Sequence, residues 1–375
     1  MERQTKRTWA EISLSNLEHN VNQLRSRLPA GCRYLGVVKA NAYGHGAVPI
    51  ARKLQEIGVE HLAVASFDEA AELREAGITA QILILGPSPA WLAKDIAALG
   101  NVVQAVGSLY LAEALSEAIG EGTLPVHLKL DTGMSRTGFP VHLPHGLGDA
   151  ERAMALKGLD VQGIFTHFAV SDDRTESFTQ IQFSRFTHAV EHLEQLRGAR
   201  FPIRHCTNSG AMVNFPDTYM DMVRPGLAQY GLYPTQEHGG LELRPVMKLM
   251  TRVAAITDHV EGDTVSYGRT YTCEGACRFG VLPIGYADGL HRSLSGELDV
   301  FIGGERAHQC GRICMDMCMV DITHLPHVQV GDAVEIFGEL QRVNELAAIA
   351  GTIPYELLCA VSPRVPRVYS SEKSF

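Results

Sequence analysis

Lys39 closes an apolar run in Val37-Val38-Lys39-Ala40-Asn41-Ala42-Tyr43-Gly44-His45-Gly46. A lysine there is costly to bury as a cation, so it either reaches out to solvent or sheds its proton and becomes an amine nucleophile able to form a Schiff base. Further along, Leu128-Lys129-Leu130-Asp131-Thr132-Gly133-Met134-Ser135-Arg136-Thr137-Gly138 is a loop able to aim the Arg136 guanidinium at a carboxylate. Thr166-His167-Phe168 offers an imidazole that could lie against a planar ligand, although a histidine among apolar residues also reads as an ordinary core residue. Thr207-Asn208-Ser209-Gly210 and Arg224-Pro225-Gly226-Leu227 supply a hydroxyl and glycine backbone N–H groups suited to a phosphate. The same residue types are also the default formers of turns.

An apolar, strand-like run leads into each of these loops. The runs are Tyr34 to Lys39, His61 to Ser66, Gln81 to Leu85, Val102 to Val106, Val126 to Leu130, Val161 to Thr166, Ile203 to Thr207 and Met222 to Arg224. Between most of them apolar residues recur at helical spacing, as in Asp68 to Ala76 and Phe178 to Leu196. Alternating strands and helices imply a parallel sheet, and eight such units fit a closed (β/α)8 TIM barrel better than an open doubly wound sheet. In that architecture the loops after the C-terminal strand ends carry the chemistry, which is where the residues above fall. After Pro234 the pattern changes to short strands separated by Gly-Asp turns, at Glu261-Gly262-Asp263 and Val330-Gly331-Asp332, and helical spacing returns at Val343 to Ile349. We therefore expect residues 1–14 to hold an N-terminal strand that packs with the distant C-terminal part, residues 15–239 to form the α/β barrel, and residues 240–375 to form a β-rich domain. That strand spans Thr8 to Leu14, and Ser15-Asn16-Leu17-Glu18 reads as the capping box of the first helix.

Composition narrows the function classes. In 375 residues, 45% hydrophobic content is enough for large cores, while 20% charged content leaves little room for disordered tracts. A net charge of −9 with no Lys/Arg cluster argues against a nucleic-acid partner. No apolar stretch is long enough to span a membrane, and Met1 to Ala10 lacks the features of a secretion signal, so no membrane association and a cytoplasmic location are expected. Eight Cys occur without a C-x-x-C pair, and no metal site is expected; Cys310, Cys314 and Cys318 fall in a strand-like segment and read as structural.

Taken together, the lysine loop from Val38 to Gly46, Leu130-Asp131-Thr132-Gly133-Met134, Thr166-His167-Phe168, Val223-Arg224-Pro225-Gly226, Val265-Ser266-Tyr267-Gly268 and Gly311-Arg312-Ile313-Cys314-Met315-Asp316 resemble the alanine racemase family over nearly the whole chain. The resemblance implies pyridoxal 5'-phosphate as cofactor, alanine as substrate and a two-base reaction. It implies that Lys39 holds the cofactor and serves one face of the substrate Cα, while Tyr267, in the second domain, serves the other. It further implies that Arg224 faces the pyridine nitrogen and that His167 and Arg224 tune Tyr267. Tyr43, Asn208, Ser209, Tyr355 and the backbone near Gly226 and Leu227 would surround the phosphate. Arg136 and the Met315 backbone would meet the substrate carboxylate, Lys129 matches a position that can be carbamylated, and Tyr286 with Tyr355 would narrow the entrance. A homodimer with shared active sites and a supply of D-alanine for peptidoglycan belong to the same expectation.

Three other readings are weighed. Serine or broad-specificity racemases are the nearest. Decarboxylases of basic amino acids share the barrel-plus-β plan, but Arg224 argues against them, because an acidic partner at the ring nitrogen suits their chemistry better. A cofactor-carrying barrel without catalytic function lacks the second domain and Tyr267.

Overall fold

The computed structural model describes residues 7–235 and 238–371. Residues 1–6 of the expected N-terminal segment and 372–375 at the other end therefore lie outside the described residues.

Nearly uninterrupted apolar runs build the first sheet, as expected for strands covered on both faces. Its members are β2 (Arg33–Val37), β3 (His61–Val64), β4 (Gln81–Ile84), β5 (Val102–Val106), β6 (Leu124–Asp131), β7 (Leu159–Phe165), β8 (Ile203–His205) and β9 (Met222–Val223). All neighbours pair in parallel, in the order β9-β2-β3-β4-β5-β6-β7-β8. The ring is nearly closed by an isolated parallel bridge between Asn208 and Arg224, with the Arg224 N–H donating to the Thr207 carbonyl at 2.9 Å. This is the expected (β/α)8 barrel.

Helices return the chain between strands: α1 (Leu14–Arg25), α2 (Ala47–Glu56), α3 (Phe67–Glu75), α4 (Ala93–Ala98), α5 (Leu109–Ile119), α6 (Gly146–Met154), α7 (Phe178–Arg197), α8 (Ser209–Asn214) and α9 (Gly226–Gln229). Side-chain caps start several of them, from Ser66 to Glu69 N–H in α3, Ser108 to Leu111 N–H in α5 and Asn208 to Ala211 N–H in α8. The expected capping box at Ser15 is corrected here. The cap of α1 is Ser13, whose hydroxyl accepts from the Asn16 N–H, because the strand β1 (Trp9–Ser13) turns directly into the helix without a linker.

The second sheet holds nine strands. After β1 it uses β10 (Met247–Arg252), β11 (Ala255–His259), β12 (Cys277–Leu282), β13 (Asp299–Ile302), β14 (Glu305–Cys310), β15 (Cys318–Asp321), β16 (Ala333–Phe337) and β17 (Arg367–Ser370), in the order β11-β12-β15-β14-β13-β16-β10-β1-β17. The leading strand β1 thus lies between β10, antiparallel, and β17, parallel. Two helices, α10 (Val343–Ala350) and α11 (Pro354–Ala360), precede β17. The second of these gave no periodic signal in the sequence, yet it brings Tyr355 back to the barrel. Among the described residues no helix is long and apolar enough to cross a membrane.

Candidate active site

Lys39 does not close its strand. β2 ends at Val37, and after Lys39 the residues Ala40, Asn41, Ala42 and Tyr43 all adopt φ of 52 to 53°. Four consecutive non-glycine residues in the left-handed region are unusual, since each costs roughly 1–2 kcal/mol. The surroundings hold this turn from two sides. Glu69, in the first turn of α3, accepts from the Ala40 N–H and, through its other oxygen, from the Ala65 N–H, both at 2.6 Å. From the second domain, Arg367 Nε donates to the Gly44 carbonyl and Tyr369 Oη to the His45 carbonyl, both at 2.9 Å. Glycine is required at two points, because a Cβ on Gly44 would sit 2.3 Å from the Leu358 carbonyl oxygen and one on Gly46 1.9 Å from Tyr369 Oη. Burial lowers the pKa of the half-buried Lys39 amine, and Arg136 and Arg224 lower it further, against opposing effects from Glu69 and Cys359.

Arg224 directly follows β9 and is buried, with no carboxylate among its hydrogen-bond partners. It donates to the carbonyls of Thr166 at 2.7 Å and Cys206 at 3.2 Å, to His205 Nδ1 at 2.9 Å and to His167 Nδ1 at 3.4 Å. Burial pulls its pKa down to about 10, which leaves the guanidinium charged at neutral pH. The Phe165 ring stacks on His205 at 4.8 Å, and the cations of Arg224 and Lys129 approach it at 5.5 and 5.8 Å. His167 is held well below its ordinary pKa by burial, then by Arg224, Arg136, Lys129 and Lys39, so its ring is neutral at neutral pH. The buried Lys129 donates to Thr137 Oγ1 at 2.5 Å, and its pKa falls to about 8 through burial, with Arg136 next. Arg136 itself is exposed, in a loop shaped by Asp131, which accepts from the N–H groups of Gly133 and Ser135 at 2.8 and 3.0 Å.

The two expected phosphate loops do come together. Ser209, buried at the start of α8, accepts from the Ala228 N–H of α9 at 3.2 Å. A Cβ on Gly226 would lie 2.6 Å from Tyr43 Oη, so backbone and phenol approach this closely only because the residue is glycine. Leu227 is buried beside it in α9, which starts without a side-chain cap. The Tyr43 ring packs on Tyr230 at 5.0 Å and on Tyr355 at 5.5 Å. Asn208 has a different engagement, since its Oδ1 caps α8 and also accepts from Ser171 Oγ at 2.6 Å.

A second group stands apart on the other domain. Tyr267, Met315 and Tyr286 are 71, 52 and 44% exposed. They converge because Ser266 Oγ donates to the Arg312 carbonyl at 2.6 Å, while the Tyr286 N–H donates to Cys314 O and the Ala287 N–H to Met315 O, both at 3.0 Å. Ser266 has φ of 65° and Gly311 φ of 71°, and a Cβ on Gly311 would meet the Val265 carbonyl oxygen at 2.8 Å. The left-handed Ser266 and the close backbone approach that Gly311 permits thus fix the turn that presents Tyr267. Reading the sequence missed His205, His127, Phe165, Glu69, Arg367 and Tyr369. The available signal for the histidines was their inward position, two residues before Lys129 and before Thr207.

The comparisons agree along the whole chain. The pattern described as alanine racemase, N-terminal domain, matches residues 12–234, and that of the C-terminal domain matches residues 246–369. The alanine racemase of Desulforamulus reducens is 45% identical over 368 residues, covering 96% of this chain and 98% of its own. That of Clostridium perfringens strain SM101 is 44% identical over 372 residues, covering 96 and 95%. The solved alanine racemase of Clostridium difficile 630 superposes with a TM-score of 0.93 at 38% identity, covering 98% of this chain and 96% of that one. With both halves matched in order and nearly every residue aligned, this chain belongs to the alanine racemase family of isomerases.

Proposed function

We propose that the chain interconverts L-alanine and D-alanine with pyridoxal 5'-phosphate held at Lys39. The observation that carries this reading is the Lys39 amine, lowered in pKa and displayed on a clamped left-handed turn that ends at Tyr43, which meets Gly226 in a gathering with Ser209. When bound, the cofactor supplies an aldehyde for an amine and a ring that draws electrons from the substrate Cα. The residues fit it: a neutral amine, hydroxyls and glycine N–H groups for a phosphate, and a buried guanidinium for the ring nitrogen. Leu227 adds backbone to that cradle, Asn208 supports it by capping α8, and Tyr355 borders it through Tyr43. Because Arg224 donates but does not give up its proton, electron withdrawal stays modest, which suits racemisation over side reactions.

Lys39 takes or returns a proton on one face of Cα, and Tyr267 does so on the other. Inversion needs both faces served. Tyr267 is largely exposed and fixed on the second domain, which supports its facing the barrel of a second copy, a homodimer with shared sites. Met315 and Tyr286 would travel with it, as carboxylate contact and entrance. Arg136 orients the substrate carboxylate, and Lys129, with a pKa near 8, has the neutral fraction that carbamylation requires. A cytoplasmic location and a supply of D-alanine for peptidoglycan complete the reading by family likeness. The test is optical: purified protein should absorb in the visible and racemise alanine. Borohydride should fix the cofactor on the peptide containing Lys39. Label on Lys129, or racemisation without any cofactor, would overturn the assignment.

A further inference from the structure

Behind Arg224 the hydrogen-bond chain does not end at His205. His205 Nε2 lies 3.0 Å from His127 Nδ1, both rings are fully buried, and they meet edge-on with centroids 5.1 Å apart. The direction of every proton in this chain follows from its first link. A guanidinium can only donate, so His205 Nδ1, at 2.9 Å from Arg224 Nη1, must accept. A neutral His205 then carries its proton on Nε2 and donates it to His127 Nδ1. His127 in turn keeps its proton on Nε2, a buried atom without a hydrogen-bond partner among the described residues. What faces that atom is Gly163 on β7, where a Cβ would lie 2.6 Å from Nε2 and 2.7 Å from both neighbouring ring carbons. The glycine leaves room for the ring while offering it nothing to bond. Native proteins rarely leave a buried donor unsatisfied, and where one persists it calls for an explanation.

We propose that His127 is a positioning residue for Arg224, accepting the Nε2 proton that the guanidinium forces onto His205 and so keeping that ring in place as a neutral acceptor for the guanidinium. The inference rests on the reading of Arg224 as partner of the cofactor ring nitrogen. A carboxylate behind His205 would do the opposite. It would favour the imidazolium, turn a second N–H toward Arg224 and leave the guanidinium facing a cation. His127 can accept one proton from His205 without contributing negative charge, and it has no partner that would draw its own proton off. Burial above all, with Arg224 beside it, holds His127 neutral, and burial with Arg224 does the same for His205. The arrangement leaves Arg224 charged, oriented and uncompensated at the place where a ring nitrogen would receive its hydrogen bond.

The experiment reads the tautomers directly. Histidine labelled with 15N in both ring positions gives distinct shifts for protonated and unprotonated imidazole nitrogens, in the apoprotein as well as the holoprotein. Between pH 6 and 9 the wild type should show His205 and His127 each with one protonated Nε2 and one bare Nδ1. His127→Asn, whose amide oxygen stands where Nδ1 was, should preserve the His205 shifts and keep kcat within about twofold of wild type. His127→Leu removes the acceptor and should move or broaden the His205 signals and lower kcat about tenfold, with KM for alanine changed less than threefold. If His127→Leu does not fold, the wild-type tautomers and the Asn variant still decide the question. An imidazolium at either position, a proton on His127 Nδ1, or unchanged His205 shifts and kcat in folded His127→Leu would overturn the proposal. Failure of the cofactor reading is separate, since it would appear as missing label at Lys39 while the tautomers of the apoprotein stood.

Discussion

Glu69 touches no expected substrate or cofactor atom, yet the turn that displays Lys39 depends on it. Its two oxygens accept from Ala40 and Ala65 N–H groups at 2.6 Å, tying the first left-handed residue to the end of β3. In Glu69→Gln one oxygen remains and the other becomes an amide that donates toward an N–H, so one of the two bonds is lost. A hydrogen bond to a charged group is worth about 1.5–3 kcal/mol, and we take about 2 kcal/mol for this one. The four left-handed residues together store about 4–8 kcal/mol of backbone strain, so a released turn has every reason to relax. Cofactor binding must then re-form it, and the apparent affinity falls with the fraction of competent turns. A cost of about 2 kcal/mol corresponds to roughly 25-fold weaker binding.

A second effect has a definite sign. Glu69 raises the pKa of Lys39 against burial and Arg136, so its neutralisation lets that pKa fall further and leaves the amine uncharged at lower pH. Reconstitution of the apoprotein with pyridoxal phosphate, followed by absorbance, should show a dissociation constant about 25-fold higher, with the pH profile displaced toward acid. Thermal melting of the apoprotein serves as the folding control. A folded variant that binds within twofold of wild type, with an unmoved profile, would refute the claim that Glu69 holds the turn.

Mixing Lys39→Ala chains with Tyr267→Ala chains under subunit exchange should return about a quarter of wild-type activity, because half of the dimers become hybrids with one intact site. Parental activity in proven hybrids would mean that Tyr267 serves its own barrel. Stability should fall as pH drops below about 6.5, measured as Tm against pH. His127, His205 and His167 have folded pKa values below the unfolded one, so only the unfolded state takes up protons there, worth up to about 1.4 kcal/mol per histidine per pH unit. His127→Asn should flatten that slope by one histidine, and an unchanged slope would show that its ring is protonated in the fold.

The barrel strands were legible because each is an apolar run bounded by turn residues, and Val102 to Val106 appears with the same bounds in both readings. Strand ends were less so. Lys39 reads as the end of β2 because nothing in Lys-Ala-Asn-Ala-Tyr announces a left-handed turn, and local propensity argues against one. The turn is held by Glu69, 29 positions away, and by Arg367 and Tyr369, more than 300 positions away, and no local window contains them. α11 was hidden for a related reason: it is two turns long, too short for a 3.6-residue period to stand out. His127 and His205 were invisible for another. An inward histidine on a buried strand looks the same in sequence whether it fills space or holds a neighbour by a hydrogen bond, and only the 3.0 Å contact between the two tells which.

Charge distribution connects these pieces. The chain carries a net −9, yet Lys39, Lys129, Arg136 and Arg224 gather at one end of the barrel, where burial and the two arginines lower the pKa of both lysines. The nearby acids offset them only in part, Glu69 raising the pKa of Lys39 and Asp131 that of Lys129 while both still end lowered. Asp131 spends its acceptor on the N–H groups of Gly133 and Ser135, and Glu69 spends both oxygens on backbone N–H groups. Between the two innermost cations lies Phe165, whose ring face attracts each of them without neutralising either. The histidines around them are neutral acceptors. Such a site is electrostatically unfavourable while empty and improves with each anion it receives, which suits a phosphate and a carboxylate together. Binding energy that relieves this repulsion is available to hold two anionic groups in register, so under the proposed function the strained turn after Lys39 and the charge at Arg224 would serve one end: an amine and a guanidinium held for the same small ligand.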